Sequence, residues 1–182
     1  MISVGIDPSL RRTGLALVEK GTVSTSLVKT EPVVGVDAVD DLTLYILGCV
    51  VKFTPRGSLV VIEGMYVPKG ERTAGDVIER AGLLAHIITQ MRRRDCQVVR
   101  VWPKQRAKYA TGDGNADKKT VRTVMRERFP GVRIPDDNVA DAVALAAAGS
   151  RWLGQPIDGA LSKTQQEAMA AVAWPQREER RA

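Results

Sequence analysis

The sequence predicts an α/β protein whose five strands form one mixed sheet flanked by helices on both faces. The first three strand-like segments follow one another with short connections, which is typical of an antiparallel meander. The last two strands are separated by a long helix, which is the pattern of parallel strands joined by a helical crossover. The length of 182 residues suits one domain with a substantial core.

The start of the chain predicts the meander. A β-branched run at residues 2–6 stops at Asp7-Pro8, because proline cannot donate to a strand ladder. Segments 14–18 and 23–28 predict two further strands, and Lys20-Gly21 between them is expected to form a tight hairpin turn.

Alternating helices and strands follow the meander. Apolar residues at helical spacing predict a helix over 37–53, and a long helix is predicted over 72–94. Apolar strands are expected at 59–62 and 97–101. Three further helices are predicted over 104–110, 117–129 and 136–153.

The composition changes after Gly154. We expect the main domain to occupy residues 1–153 and residues 154–182 to form a carboxy-terminal extension. Residues 162–174 are rich in alanine with a modest apolar face, which predicts a partly helical segment. The charged residues 177–181 are expected to be disordered.

The net charge of +6 and the isoelectric point near 9.6 favour a polyanionic partner such as nucleic acid. On charge alone, a merely soluble basic protein is an equally good explanation. No targeting peptide and no apolar stretch of membrane-spanning length are visible, so we expect a cytoplasmic protein with no membrane association.

The metal-ligating residue types restrict the possible cofactors. The single histidine, His86, and the two separated cysteines, Cys49 and Cys96, cannot build a zinc site. Any metal must therefore be held by oxygen ligands, which favours Mg²⁺ or Mn²⁺.

Two acidic residues end apolar strands: Asp7 follows VGI and Glu63 follows VVI. Such residues project at the carboxyl edge of a sheet, where the sites of α/β proteins form. Taken singly, either acid is equally well explained as the cap of a following turn or helix.

A third acid, Asp141, lies in a predicted helix that is almost wholly Ala, Val and Leu and is therefore expected to be buried. A buried carboxylate needs a partner or a metal. The positions one helical turn away hold Asp137, Asn138 and Leu145, none of which is cationic, and this favours a metal. Three clustered acids could hold two Mg²⁺ ions about 3.5–4 Å apart, which activate water for phosphodiester hydrolysis.

Four segments resemble, in order, the motifs of the RuvC-type Holliday-junction resolvases, which have the RNase H-like fold. They are GIDPSLRRTGLAL, VVIEGMYVPKG, TGDGNADKKTV and PDDNVADAVALAAA, and the match runs colinearly from residue 1 to about residue 152. The resemblance implies a Mg²⁺-dependent endonuclease, with Mn²⁺ able to substitute, that resolves Holliday junctions by paired cuts in recombination and repair. Bacterial and phage sources fit equally well.

The resemblance also implies site residues. Asp7, Glu63 and Asp141 match the family's metal ligands, while the fourth acidic position falls on Asn138. Asn138 offers a neutral carbonyl oxygen, which would lower the charge of the site, and Asp137 could take its place as the fourth ligand.

For DNA binding, the resemblance implies an aromatic residue at Tyr66 that stacks on an unpaired base and a lysine at Lys118. Lys108 lies one residue from a second family lysine position, which is occupied here by Ala107. Arg106 and Arg126 extend the basic field, although some of these charges are expected only to face solvent. The remaining candidate DNA-binding residues are Lys69, Lys104, Lys119 and Arg122.

The resemblance implies a homodimer, because a four-way junction is two-fold symmetric and needs two cuts. Helix 72–94 is the candidate dimer seam, and packing on the sheet is the alternative role of the same apolar residues. These residues are Ile78, Leu83, Ile87, Ile88 and Met91. Nothing in the sequence indicates a branch-migration motor as partner.

Two other functions remain open from the sequence. One is a nuclease of the same fold with broader selectivity for flaps and forks. The other, suggested by Asn138, is a catalytically inactive module that only binds junctions.

Overall fold

A five-stranded mixed sheet lies at the centre of the computed structural model, which describes residues 1–65 and 74–176. The strands are β1 (Ser3–Asp7), β2 (Arg12–Glu19), β3 (Thr22–Lys29), β4 (Leu59–Glu63) and β5 (Gln97–Val101). The helices are α1 (Val36–Phe53), α2 (Ala74–Arg93), α3 (Pro103–Thr111), α4 (Lys118–Arg128), α5 (Asp137–Trp152) and α6 (Lys163–Ala170). Within the described residues, no helix combines the length and the apolar character needed to cross a membrane.

The strand order in the sheet is β3-β2-β1-β4-β5, and the predicted mixed topology is confirmed. Strand β2 runs antiparallel to β1 and β3, whereas β4 runs parallel to β1 and β5. The β2–β3 connection is the predicted tight turn, with positive φ angles of 49° at Lys20 and 81° at Gly21. Because β1 and β4 are parallel neighbours, their carboxyl ends lie side by side at one edge of the sheet.

Helices cover both faces of the sheet, as predicted. Helices α1 and α2 pack on one face, where Ile46 and Ile87 meet the side chains of Ile6 and Ile62. Helix α5 packs on the other face, with α3 and α4 beside it. Side chains alternate along a strand, so each strand contributes to both cores.

The prediction that one apolar face of α2 forms a dimer seam is wrong for three of the five residues named. Leu83, Ile87 and Met91 are at most 1 % exposed and belong to the core between α2 and the sheet. Ile88 is partly buried against the same core, and only Ile78, at 70 % exposed, faces outward. The sheet needs the apolar face of α2 for its own packing, so little of that face is left for a partner.

Helix α5 lies unusually close to the sheet because glycines face it. A Cβ built on Gly5 would come within 2.0 Å of the Ala142 carbonyl oxygen. A Cβ on Gly14 would come within 2.1 Å of the Asn138 carbonyl oxygen. Gly14 is also the residue paired with Asp7 across β1 and β2, so this close approach brings the first turns of α5 next to Asp7.

The segment after α5 packs against the rest of the domain. Helix α6 lies on α3, with Lys108 Nζ 2.8 Å from the carboxylate of Glu167. The indole rings of Trp152 and Trp174 stack with their centroids 5.7 Å apart. The side chain of Asp158 is fully buried against three partners, which are Arg128, Arg151 and Tyr109. The predicted disorder of residues 177–181 falls outside the described residues.

Replacement of Gly5 by alanine should be strongly destabilising. The new Cβ would collide with the backbone of α5, which cannot move without opening the core, so we expect a loss of about 3 kcal/mol or more of unfolding free energy. Gly48→Ala is the matched control, because Gly48 lies inside α1 with open space around its Cβ position. That substitution should stabilise by roughly 0.5–1 kcal/mol, since alanine is the better helix former. Urea unfolding of both variants measures the difference, and equal stabilities would contradict the close approach.

Candidate active site

Three acidic side chains meet at the carboxyl edge of the parallel strands. Asp7 ends β1, Glu63 ends the neighbouring strand β4, and Asp141 lies in the second turn of α5. One carboxylate oxygen from each lies within 4.8 Å of the others. The structure therefore brings together the three residues that the sequence predicted as metal ligands.

Burial and mutual repulsion dominate the electrostatics of this acidic cluster of Asp7, Glu63 and Asp141. Asp7 is 8 % exposed and Asp141 only 2 %. Burial, followed by repulsion from Glu63 and Asp141, raises the pKa of Asp7 well above its ordinary value. Burial likewise raises the pKa of Asp141 to about 7, although a nearby arginine opposes the shift.

That arginine is Arg106, which projects from α3 into the acidic cluster. Its Nε donates a hydrogen bond of 2.8 Å to Oε1 of Glu63, and its Nη1 lies 2.8 Å from Oδ1 of Asp141. Burial alone would lower the pKa of Arg106, but the carboxylates of Glu63, Asp141 and Asp7 outweigh it and raise that pKa. The guanidinium is therefore a permanent positive charge inside the site.

The hypothesis that Arg106 belongs to an outer basic field is wrong, because the residue is only 7 % exposed. The positions one helical turn from Asp141 on its own helix hold no cationic residue, and the cationic partner of Asp141 comes from α3 instead. A signal was present in the sequence. Arg106 shares a helical face with Tyr109 and Ala110, both of which are buried, so its position follows the apolar period of α3.

The acidic cluster fits a divalent cation. Oδ1 of Asp141 is buried and receives no hydrogen bond from the described residues, since Arg106 approaches it without hydrogen-bond alignment. Buried carboxylate oxygens of this kind are the ligands that Mg²⁺ and Mn²⁺ prefer. A bound cation would also relieve the repulsion among the three acids.

The two candidates for a fourth ligand have different surroundings. Asn138 lies one helical turn before Asp141 and lines the same cavity as the three acids. The carboxylate of Asp137 lies 2.8 Å from Nζ of Lys118, and this contact lowers the pKa of Asp137 against the opposing effect of burial. Asp136 caps α5 by accepting a hydrogen bond from the Val139 amide.

The three acids open onto a cavity of about 720 Å³. Basic residues on its wall include Arg11, Arg80 and Lys118, so the acids lie at the bottom of a cavity with a positive rim. An anionic substrate is attracted to such a rim and can reach the carboxylates only with a cation present.

The predicted DNA-binding residues occupy different places. Lys118 lines the main cavity. Lys104 and Lys108 line a separate cavity of about 300 Å³ beside α6. Lys119 is exposed and Arg122 partly exposed on α4, whereas Arg126 donates to the carbonyl oxygens of Ile134 and Pro135 and so holds the loop before α5. Tyr66 and Lys69 lie outside the described residues.

The strand order β3-β2-β1-β4-β5, with three acids clustered at the ends of its parallel strands and on α5, fits a metal-dependent nuclease of the RNase H-like fold. The family model for crossover junction endodeoxyribonuclease RuvC matches residues 3–148, and the chain belongs to this family. A RuvC of this description from Nocardia farcinica is 35 % identical over 151 residues, which cover 79 % of this chain and 77 % of the relative.

Solved structures share the fold. The Thermus thermophilus RuvC in complex with a Holliday junction substrate superimposes with a TM-score of 0.62 at 22 % identity, covering 85 % of this chain and 97 % of the other. The yeast mitochondrial Holliday junction resolvase Ydc2 superimposes with a TM-score of 0.57 at 16 % identity, covering 84 % of this chain and 78 % of the other.

The pKa of Asp141 predicts how the metal-free protein responds to pH. Folding raises this pKa from 3.8 to about 7, so protonated Asp141 stabilises the folded state fully below pH 3.8. That stabilising contribution is lost as the pH rises through about 7. Its size is about 1.4 kcal/mol of unfolding free energy for each unit by which folding raises the pKa.

In the presence of a chelator, the unfolding free energy of the wild type should therefore fall more steeply between these pH values than that of Asp141→Asn. Urea unfolding across the pH range measures both slopes. Parallel slopes would show that Asp141 keeps an ordinary pKa in the folded protein.

Proposed function

We propose that this member of the family resolves Holliday junctions by metal-dependent phosphodiester hydrolysis, with Mg²⁺ as the natural ion and Mn²⁺ as a substitute. The observation that carries the proposal is the meeting of Asp7, Glu63 and Asp141 at the bottom of a basic-rimmed cavity. Each of the three oxygens comes from a different element, so the fold itself assembles the acidic cluster.

In this mechanism the three carboxylates and the side-chain amide oxygen of Asn138 would hold the metal. When bound, the metal would supply an activated water and stabilise the leaving oxygen. Arg106 keeps Glu63 oriented through its hydrogen bond, and the cationic rim holds the scissile phosphate over the acids. The burial of Asp7 and Asp141 keeps bulk water from screening these charges.

The remaining basic residues would guide the arms of the junction. Lys118, Lys119 and Arg122 follow one another along the first turns of α4, which starts beside the cavity. Lys104 and Lys108 lie on α3, although the contact of Lys108 with Glu167 reduces the charge it can offer. Tyr66 remains the candidate for stacking at the crossover and Lys69 a candidate DNA contact, because they lie three and six residues after Glu63 in the sequence.

A homodimer would place two acidic clusters on either side of a junction's two-fold axis, so that the axis relates one cluster to the other. Surface features between α1 and α2 support this assembly: Ile78 and Val36 are exposed, and both line an apolar groove of about 440 Å³. An exposed apolar groove of this kind is typical of a protein interface. The proposed seam is therefore this groove rather than the buried residues of α2.

The intact acidic cluster argues against an inactive junction-binding module. That alternative rested on Asn138, whereas Asp7, Glu63 and Asp141 are all present and adjacent. Cleavage assays on synthetic junctions, flaps and forks separate a junction resolvase from a nuclease of broader selectivity.

Removal of any one of the three acids should abolish cleavage and spare binding. Mutation of a residue that only hydrogen-bonds to a metal ligand lowers metal affinity or activity by about 10–100-fold. We therefore expect the ligand variants Asp7→Asn, Glu63→Gln and Asp141→Asn each to lose more than about 100-fold in cleavage rate. Junction affinity should change little, because binding depends on the basic residues. Cleavage and gel-shift assays on one synthetic four-way junction provide both measurements. Near-normal cleavage by one variant would remove that residue from the site.

The fourth ligand can be identified by metal titration of three variants. If Asn138 is a neutral ligand, Asn138→Asp should lower the Mg²⁺ concentration that gives half-maximal cleavage, because added ligand charge tightens the binding of hard cations. Asn138→Ala should raise it. If Asp137 is the ligand instead, Asp137→Asn should impair cleavage and both Asn138 variants should behave like the wild type. An unchanged metal requirement in all three would leave the three acids as the complete ligand set.

A further inference from the structure

We propose that Arg106 takes the place of a second metal ion, so that the acidic cluster of this chain holds one divalent cation beside a permanent guanidinium. The inference rests on the proposed metal-dependent function and concerns how the charge of that site is balanced. It departs from the two-ion expectation drawn from the sequence.

The first argument is the position of the guanidinium. Its Nε and Nη1 each lie 2.8 Å from a carboxylate oxygen, one on Glu63 and one on Asp141. A Mg²⁺ ion bound to the same two oxygens would have to lie about 2.0–2.1 Å from each of them. That space is covered by the guanidinium, so an ion can bridge these two oxygens only if Arg106 leaves. Asp7 makes no ion pair with Arg106 within the described residues and stays open to one ion beside the guanidinium.

The second argument is the difficulty of displacing Arg106. The side chain is 8 % exposed, and it extends from a helix face that also buries Ala107, Tyr109 and Ala110. Leaving the acidic cluster would break the hydrogen bond to Glu63 and separate two buried charges, which is strongly unfavourable when one partner is removed. Arginine also suits a permanent position of this kind, because its planar group is weakly hydrated and can bridge two carboxylates.

The third argument is charge balance. Three ionised carboxylates and one guanidinium leave a net charge of −2, which a single divalent ion neutralises. Asn138 adds no charge, and the opposite charges of Lys118 and Asp137, which form an ion pair, cancel each other. Two divalent ions would leave an excess of positive charge in a site whose acids are mostly buried, with a cationic rim above them.

Electron paramagnetic resonance of Mn²⁺ bound to the full-length protein tests the stoichiometry directly. Two ions about 3.5–4 Å apart would be magnetically coupled, whereas a single ion gives an uncoupled spectrum. We expect one uncoupled Mn²⁺ per wild-type chain. The same count is expected with a four-way junction built from phosphorothioate-linked DNA, which tests whether DNA recruits a second ion.

Variants at Arg106 separate its charge from its packing. Arg106→Gln removes the positive charge and should admit a second, coupled Mn²⁺ ion. Arg106→Lys keeps the charge and should continue to bind one. Arg80→Gln is the matched control, because Arg80 lines the same cavity but makes no ion pair with the three acids, and its count should remain one.

The outcomes are distinguishable. A coupled pair of Mn²⁺ ions in the wild type, with or without DNA, would overturn the inference. A single ion in a folded Arg106→Gln variant would also overturn it. Neither result would contradict the proposed function. A wild type that binds no Mn²⁺ would overturn the metal-dependent function and this inference together. If thermal unfolding shows that Arg106→Gln does not fold, the wild-type spectrum and the Arg106→Lys count decide the question.

Discussion

The repulsion among three clustered carboxylates, two buried and one partly buried, is the constraint on which the rest of the site depends. Asp7, Glu63 and Asp141 come from two strands and a helix, so folding forces like charges together. The protein offsets part of that repulsion with Arg106, brought in from a fourth element. The remaining negative charge makes the site a strong receptor for a hard cation. Stability and metal binding are therefore linked through the same few atoms.

Small residues make this arrangement possible. The middle of helix α5, residues 139–148, is mostly alanine and valine, and it lies on glycines of β1 and β2. Its backbone therefore approaches the sheet more closely than larger side chains would allow. Asp141 is carried to the ends of the strands by this contact. A site that needs sub-ångström placement of oxygen atoms is thus built on rigid elements, and the helix that carries Asp141 packs closely against the backbone of the strand that carries Asp7.

Much of the fold was predictable from the sequence, for identifiable physical reasons. Apolar strands between helical segments give a strong periodic signal, and the carboxyl ends of parallel neighbours must meet, which placed Asp7 beside Glu63. Arg106 was misplaced because its partners lie on other elements, and a contact of that kind leaves no local pattern. The seam proposed on α2 was wrong for Leu83, Ile87 and Met91, because one apolar stripe cannot show whether the sheet or a partner covers it.

The buried Asp158 means that the folded unit extends beyond the residues that the family model matches. The family-model match ends at residue 148, yet Asp158 forms ion pairs with Arg128 and Arg151, and Trp174 stacks on Trp152. A chain cut back to the family boundary would leave Arg128, on α4, without its buried counter-charge. Fusions, tags and domain swaps should therefore join this protein after Trp174, which packs on Trp152, and not at residue 148, where the family-model match ends.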